Sequence, residues 1–296
     1  MVASDRPVLF GEVLYDCFPD GQAVLGGAPF NVAWHLQGFG LSPLFISRVG
    51  DDPLGHRVRD TMHNHGMDAS GLQLDSLHPT GKVTITMSGK SHSFEIIPEQ
   101  AYDYIDRDAL PPLPETALFY HGSLAARNPV SAQTLAFLRA RFTDRRLVDI
   151  NLRDPWWQRE QALKMIDAAW LAKLNDEELQ QLVPDADDEA ARIQRLIGDA
   201  GLQLLLITRG AAGAELLTAG GDSFRVVPDT VTEVVDTVGA GDAMTSVLVL
   251  GLLQGWPYLQ TLERAQTFAS AIVGRRGATV EEPEFYRQFI DAWGLP

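Results

Sequence analysis

The run Asp236-Thr237-Val238-Gly239-Ala240-Gly241-Asp242, followed by the apolar stretch Ala243 to Leu253, is the most informative chemical signal in this 296-residue chain. Small residues directly before a helix leave several backbone N–H groups unshielded, and the helix dipole adds positive potential there, so the turn suits an anion such as a phosphate. Asp242 could take a proton beside that anion, or it could simply cap the helix. A cap needs one carboxylate, whereas this turn carries two together with three small residues. Near the N-terminus, Asp16 follows a short apolar strand, and Gly26-Gly27 opens a helix that contains Asn31. A carboxylate can accept from two hydroxyls, glycines let a ligand approach the backbone, and Asn both donates and accepts, which together suit a polyhydroxylated molecule. Singly, the same residues also read as a turn aspartate, a helix start and a polar helix residue.

Two further groups lie at predicted strand ends. In Asp149-Ile150-Asn151-Leu152-Arg153-Asp154, the position beyond a carboxyl-terminal strand end places Asn151 and Arg153 toward a cleft. Arg153 could clamp substrate or phosphate oxygens, or pair with Asp154. Lys173-Leu174-Asn175-Asp176-Glu177-Glu178 occupies a second strand-to-helix junction, where Asp176 and Glu177 read as solvating the first turn. Other chemistries fall away. Gly239-Ala240-Gly241-Asp242 lacks the third glycine of a dinucleotide loop and lies too late in the chain, no P-loop motif is present, and none of the seven histidines forms H-E-x-x-H. His63 and His65 read as a solvated helix end rather than metal ligands.

These residues need a scaffold. Apolar runs of strand length alternate with helix-period segments, the pattern of a parallel sheet with crossover helices. Strands are expected at Leu44 to Val49, Leu118 to His121, Leu147 to Ile150, Ala169 to Lys173 and Leu202 to Thr208. Helices are expected at Leu54 to His65, Ser131 to Phe142 and Asp188 to Ala200, with a hairpin around Gly220-Gly221 and a helical remainder after Asp236 broken near Trp256-Pro257. Val83 to Met87 and Ser93 to Ile97 alternate about Gly89-Lys90 and predict a separate hairpin. With an extended piece over 13–25, it could form either an edge decoration or a lid that excludes water from a cleft. An uncovered apolar face on Val83 to Met87 would favour a homodimer through that lid.

Composition bounds the partners. With 24 Lys plus Arg against 39 Asp plus Glu, the formal charge is 24 − 39 = −15, which disfavours nucleic-acid polymers and anionic membranes. The single cysteine, Cys17, forbids an internal disulfide, and no signal peptide or long apolar span is visible, so a cytoplasmic location is expected. The 45% hydrophobic content is that of a folded domain with a large core.

Gly11-Glu12-Val13-Leu14-Tyr15-Asp16, Gly26 to Ala33, Arg48-Val49-Gly50-Asp51-Asp52-Pro53-Leu54-Gly55 and Asp236 to Asp242 fall in order along nearly the whole chain. Together they resemble the ribokinase-like (PfkB) carbohydrate kinases, and within them the bacterial fructokinases. The resemblance implies a single α/β domain over 1–296, a three-layer α/β/α sandwich around a mostly parallel sheet, with a small β lid from about 13–25 and 80–100. It also implies transfer of the ATP γ-phosphoryl group to a primary hydroxyl of a sugar, with fructose as the expected acceptor; the alternatives are another sugar, a sugar acid such as 2-keto-3-deoxygluconate or a nucleoside on the same fold, or a sugar-binding regulator without catalysis. On that pattern Asp242 is the catalytic base, and Gly239, Ala240 and Gly241 form the anion hole. Asp16, Gly26, Gly27, Asn31 and Arg153 contact the sugar, while Asn175, Thr208, Gly210 and Gly213 border the nucleotide. Glu178 acts on Mg²⁺ through water. A monovalent cation such as K⁺ would sit near Arg275 to Ala278. Gln266 departs from the pattern where the family commonly has Asn near the adenine, and Glu95 to Asp103 does not reproduce a sugar-recognising segment.

Overall fold

The computed structural model describes residues 6–88, 91–115, 117–228 and 234–296. In chain order come β1 (Val8–Phe10), β2 (Leu14–Cys17), β3 (Ala23–Gly26), α1 (Ala28–Gly38), β4 (Leu44–Gly50), α2 (Pro53–Asn64), β5 (Leu72–Asp75), β6 (Gly81–Ser88) and β7 (Ser91–Ile96). Then follow β8 (Phe119–His121), α3 (Pro129–Arg141), β9 (Arg146–Asp149), α4 (Arg159–Ile166), β10 (Leu171–Asn175), α5 (Asp176–Leu182) and α6 (Glu189–Ala200). The chain closes with β11 (Leu204–Thr208), β12 (Ala214–Thr218), β13 (Ser223–Val226), α7 (Ala240–Gln254), α8 (Tyr258–Val273) and α9 (Pro283–Trp293).

Among the described residues the main sheet has nine strands in the order β13-β12-β11-β10-β9-β8-β1-β4-β5. All pairings from β11 to β5 are parallel, and β12 and β13 add antiparallel strands at one edge. Alternation along the strands feeds two apolar layers. Leu9, Phe45, Tyr120 and Leu204 pack with Phe30 of α1, Val247 of α7 and Phe268 of α8. On the opposite face, Val8, Ile46 and Phe119 meet Leu135 of α3, and Ala172 and Leu205 meet Ile166 of α4, Leu179 of α5 and Leu196 of α6. The result is the expected three-layer α/β/α sandwich. Because α7 is apolar nearly all round, it is buried from Ala243 to Gly251 and cannot drift at its N-terminus.

A second sheet, β3-β2-β6-β7, stands apart. Its β2–β3 turn closes through Phe18 N–H to Gln22 O at 2.8 Å. The hairpin strands are one or two residues longer than expected toward the turn, and the turn residues Gly89-Lys90 themselves lie outside the described residues. Val83 and Ile85 are buried by the chain itself, while Phe94, the register partner of Ile85 on β7, is 63% exposed.

The Gly50-Asp51-Asp52-Pro53 segment ties the two sheets together. Asp52 caps α2 through Gly55 N–H at 2.8 Å and also accepts from the backbone and hydroxyl of Thr80, each at 2.8 Å, at the start of β6. A side chain at Gly55 would meet Gly50 O at 1.9 Å, which explains the glycine. Elsewhere the C-terminal region is less helical than expected, since 274–282 is an irregular loop between α8 and α9. His65 is not a solvated helix end: its ring stacks on Trp34 at 3.7 Å between centroids, and its Nε2 lies 3.1 Å from Trp34 O. His63 is exposed, as expected.

Candidate active site

The carboxyl ends of the parallel strands and the N-terminus of α7 converge on one edge of the main sheet. The helix start is built by Gly239, in the left-handed region at φ 80°, where a side chain would press on Ala278 Cβ at 2.4 Å. Asp236 pins this turn to the loop before α9, accepting from Val238 N–H at 3.0 Å and Gly277 N–H at 3.1 Å. Among the described residues the amides of Gly239, Gly241 and Asp242 have no acceptor, while Ala240 N–H points to Thr237 O at 3.3 Å. Three free amides therefore stand together at the helix start, those of Gly239, Gly241 and Asp242, while that of Ala240 is partly committed.

Asp242 is not a cap, because no side chain caps α7. Its Oδ2 instead accepts from Asn31 Nδ2 at 2.8 Å, across 211 positions of sequence. Burial pushes the Asp242 carboxyl up to about 6, against the pull of Lys173, Asn31 and Arg153 toward the charged form, with Asp149 adding to the rise. Asn31 thus holds the carboxylate, and its own Oδ1 is buried without a partner.

Behind the helix start lies a pair that the sequence reading left without a role. Lys173 Nζ donates to Asp149 Oδ2 at 2.6 Å, both groups being buried, and a side chain on Gly241 would come within 3.1 Å of that ammonium. Thr245 Oγ1 donates to Gly241 O at 2.9 Å and stands 3.5 Å from Asp149 Oδ2. In the sequence the only mark of Lys173 is that it is one of four lysines in the chain and lies between apolar neighbours in its strand.

Asp16 lies on β2, with Gly26 directly against its carboxylate. Burial pushes Asp16 up to about 6, opposed by the charge of Arg153. Gly27, at φ 110°, must lack a side chain because a Cβ would meet Glu12 O at 2.6 Å. Arg153 is exposed and does not pair with Asp154, which instead accepts from Trp157 Nε1 at 2.7 Å. Its guanidinium donates from Nη1 to Leu152 O at 3.2 Å, and Glu12, Asp16 and Asp242 all feel its charge.

On the other side, Asn175 and Thr208 are register partners at the ends of β10 and β11. Asn175 caps α5 in a reciprocal box: Glu178 N–H donates to Asn175 Oδ1 at 2.7 Å, and Asn175 N–H to Glu178 Oε2 at 2.8 Å. Glu178 Oε1 accepts from Leu152 N–H at 2.8 Å, which fixes the Asn151–Arg153 loop. Asp176 and Glu177 are exposed, as expected. Gly213 is required by packing, since a side chain would meet Val226 O at 1.9 Å, and Gly210 turns the chain at φ 51°. Gln266 Nε2 donates to Ser270 Oγ at 3.2 Å within α8. In the loop 275–278, Ala278 O lies 2.9 Å from His35 Nε2.

A sandwich of this topology, with a second sheet above a glycine-rich helix start and its aspartate, defines a carbohydrate kinase. The chain belongs to the pfkB family carbohydrate kinases, whose model matches residues 16–284. Fructokinase from Klebsiella pneumoniae is 33% identical over 261 residues, covering 82% of this chain and 83% of that protein. The crystal structure of aminoimidazole riboside kinase from Salmonella enterica, complexed with aminoimidazole riboside and an ATP analog, superposes with a TM-score of 0.81 at 25% identity, over 96% of this chain and 99% of that one. Fructokinase from Xylella fastidiosa with bound ATP shares the fold at a TM-score of 0.85 and 22% identity, over 98% and 100% of the two chains.

Proposed function

We propose that this carbohydrate kinase transfers the γ-phosphoryl group of ATP to a primary hydroxyl of fructose or a related ketose. The observation that carries the reading is the 2.8 Å contact between Asn31 and Asp242, which joins the N-terminal polyol-binding segment to the anion-binding helix start. In this reading Asp242 orients the accepting hydroxyl and takes its proton late, because a carboxylate is a weak base. Gly239, Ala240 and Gly241 meet the charge that builds on the transferred group, the amides of Gly239 and Gly241 without reorganisation and that of Ala240 by leaving Thr237 O. Asp16, Gly26, Gly27, Asn31 and Arg153 hold the sugar, and Asn175, Thr208, Gly210 and Gly213 border the nucleotide.

Mg²⁺ fits through water at Glu178, whose two oxygens each already accept one backbone N–H and keep a lone pair for a water. Bound there with the nucleotide, the ion would offset phosphate charge. The preference for fructose rests on the 33% identical relative, and the similarity to a riboside kinase names the alternative acceptor. ADP release measured with fructose, ribose, 2-keto-3-deoxygluconate, adenosine and aminoimidazole riboside, with and without Mg²⁺ and K⁺, decides between them. Fructose should give the highest kcat/KM. A higher value for a riboside would refute the ketose assignment, and no turnover alongside sugar-dependent thermal stabilisation would make the protein a sugar sensor.

A further inference from the structure

Glu12 is a charged side chain at this edge to which the reading above gives no task. It follows β1 and is 5% exposed. Its Oε2 is buried and meets no hydrogen-bond partner among the described residues. The contrast with Glu178, another buried glutamate whose two carboxylate oxygens each accept a backbone N–H, is informative. The carboxylate of Glu178 is satisfied by the chain, and Oε2 of Glu12 is not.

Gly122, just after β8, faces that oxygen, and a Cβ there would stand 3.8 Å from Oε2. The charged groups acting on Glu12 come from separate elements: Arg153 from the loop after β9, Arg127 from the segment before α3, and Asp242 from α7. The phenols of Tyr102 and Tyr120 feel its charge as well. Arg127 is itself buried, and its Nη1 also lacks a partner. An acceptor and a donor thus stand unused on the same floor, near the base that would receive the attacking hydroxyl. A polyol, whose hydroxyls donate and accept, is a ligand class that satisfies both.

Resting on the kinase reading above, we propose that Glu12 is a sugar-binding residue that accepts a hydrogen bond from a substrate hydroxyl other than the one phosphorylated. The inference selects polyhydroxylated acceptors over their deoxy counterparts, because a site built around a hydroxyl leaves its buried partner unpaired when that hydroxyl is missing. Burial pushes the Glu12 carboxyl up to about 7, opposed by Arg153 and Arg127 and reinforced by Asp242. A donated hydroxyl favours the ionised form, so sugar KM should fall as pH rises through about 7.

The test compares wild type with Glu12→Gln and Glu12→Ala on the best sugar of the panel and on its mono-deoxy analogues. For Glu12→Gln we expect kcat/KM to drop about tenfold or more, with the loss in KM and the KM change through pH 7 abolished. In Glu12→Ala the penalty that wild type imposes on one particular deoxy position should largely vanish. Without sugar, the melting temperature of Glu12→Gln at pH 8 should equal or exceed that of wild type, since a buried unpaired charge is removed. Turnover by wild type with KM within twofold in Glu12→Gln overturns the inference and leaves the kinase reading intact, as does a lower melting temperature accompanied by unchanged KM. Absence of both turnover and thermal stabilisation with every sugar removes both.

Discussion

Replacing Asp242 by Asn tests the assignment of the base with little structural disturbance, because an amide oxygen can still accept from Asn31 Nδ2 in the 2.8 Å geometry. Loss of a positioned acid or base typically costs about 10²–10⁴-fold, which is ~3–5 kcal/mol of barrier. With the carboxyl pushed up to about 6, the ionised fraction is about one-tenth at pH 5 and about nine-tenths at pH 7. In wild type, log kcat/KM should therefore climb below pH 6 with contributions from Asp242 and from Asp16, also near 6, and Glu12 should extend the rise to about 7. Asp242→Asn should lower kcat by at least about a hundredfold and reduce the limiting acid slope by about one, while sugar affinity, read by thermal shift, stays within a few fold. Coupled ADP release from pH 5 to 8 supplies the profiles. A variant with more than about a tenth of wild-type kcat, or with the wild-type slope intact, would refute Asp242 as the proton acceptor.

The same raised carboxyl makes a stability prediction of definite sign. A folded value of about 6 against an ordinary 3.8 means the native state binds the extra proton between those pH values, so ionised Asp242 destabilises the protein above them. Asp242→Asn should melt higher than wild type at pH 7.5 without ligand, and the gap should close toward pH 4. Lys173→Met strands the buried Asp149 charge and should cost about 3–5 kcal/mol in denaturant unfolding, with Lys173→Met/Asp149→Leu recovering much of the stability but not the turnover. Asn31→Leu removes the donor from Asp242 and should move the acid limb of kcat/KM to higher pH. Gly239→Ala forces a side chain into a left-handed turn 2.4 Å from Ala278 Cβ, and should lower both melting temperature and kcat, the strain alone amounting to about 1–2 kcal/mol.

Periodicity identifies the layered sheet because a parallel strand buried on both faces is a near-continuous apolar run, and β11, with four apolar residues before Thr208, is such a run. Element ends are less legible. The loop 274–282 is held by long-range bonds, His35 to Ala278 O and Gly277 N–H to Asp236, that no local pattern announces. The helix start was readable from its small residues. What Asn31 does was not, because its partner lies 211 positions away and a polar helix residue shows no direction in sequence. Glu12 and Lys173 were hidden for a related reason: their environments are assembled from separate strand ends, and burial is what gives a single charged residue there its chemistry.

The charge of −15 acquires a local meaning in this geometry. Glu12, Asp16 and Asp242 sit in one cleft, and each is pushed upward chiefly by burial, so the unliganded edge carries a cluster of acids that the fold only partly compensates. Such an arrangement works against stability and serves a ligand rich in hydroxyl donors, which satisfies carboxylates without bringing charge. Phosphate oxygens would be repelled by the same cluster. On the proposed reading they would be met instead by the free amides of Gly239, Gly241 and Asp242, with the buried ammonium of Lys173 behind them. On the same proposed reading, the acidity that argues against a nucleic-acid polymer separates two half-sites by chemistry: acceptors would face the sugar, and donors the group being transferred.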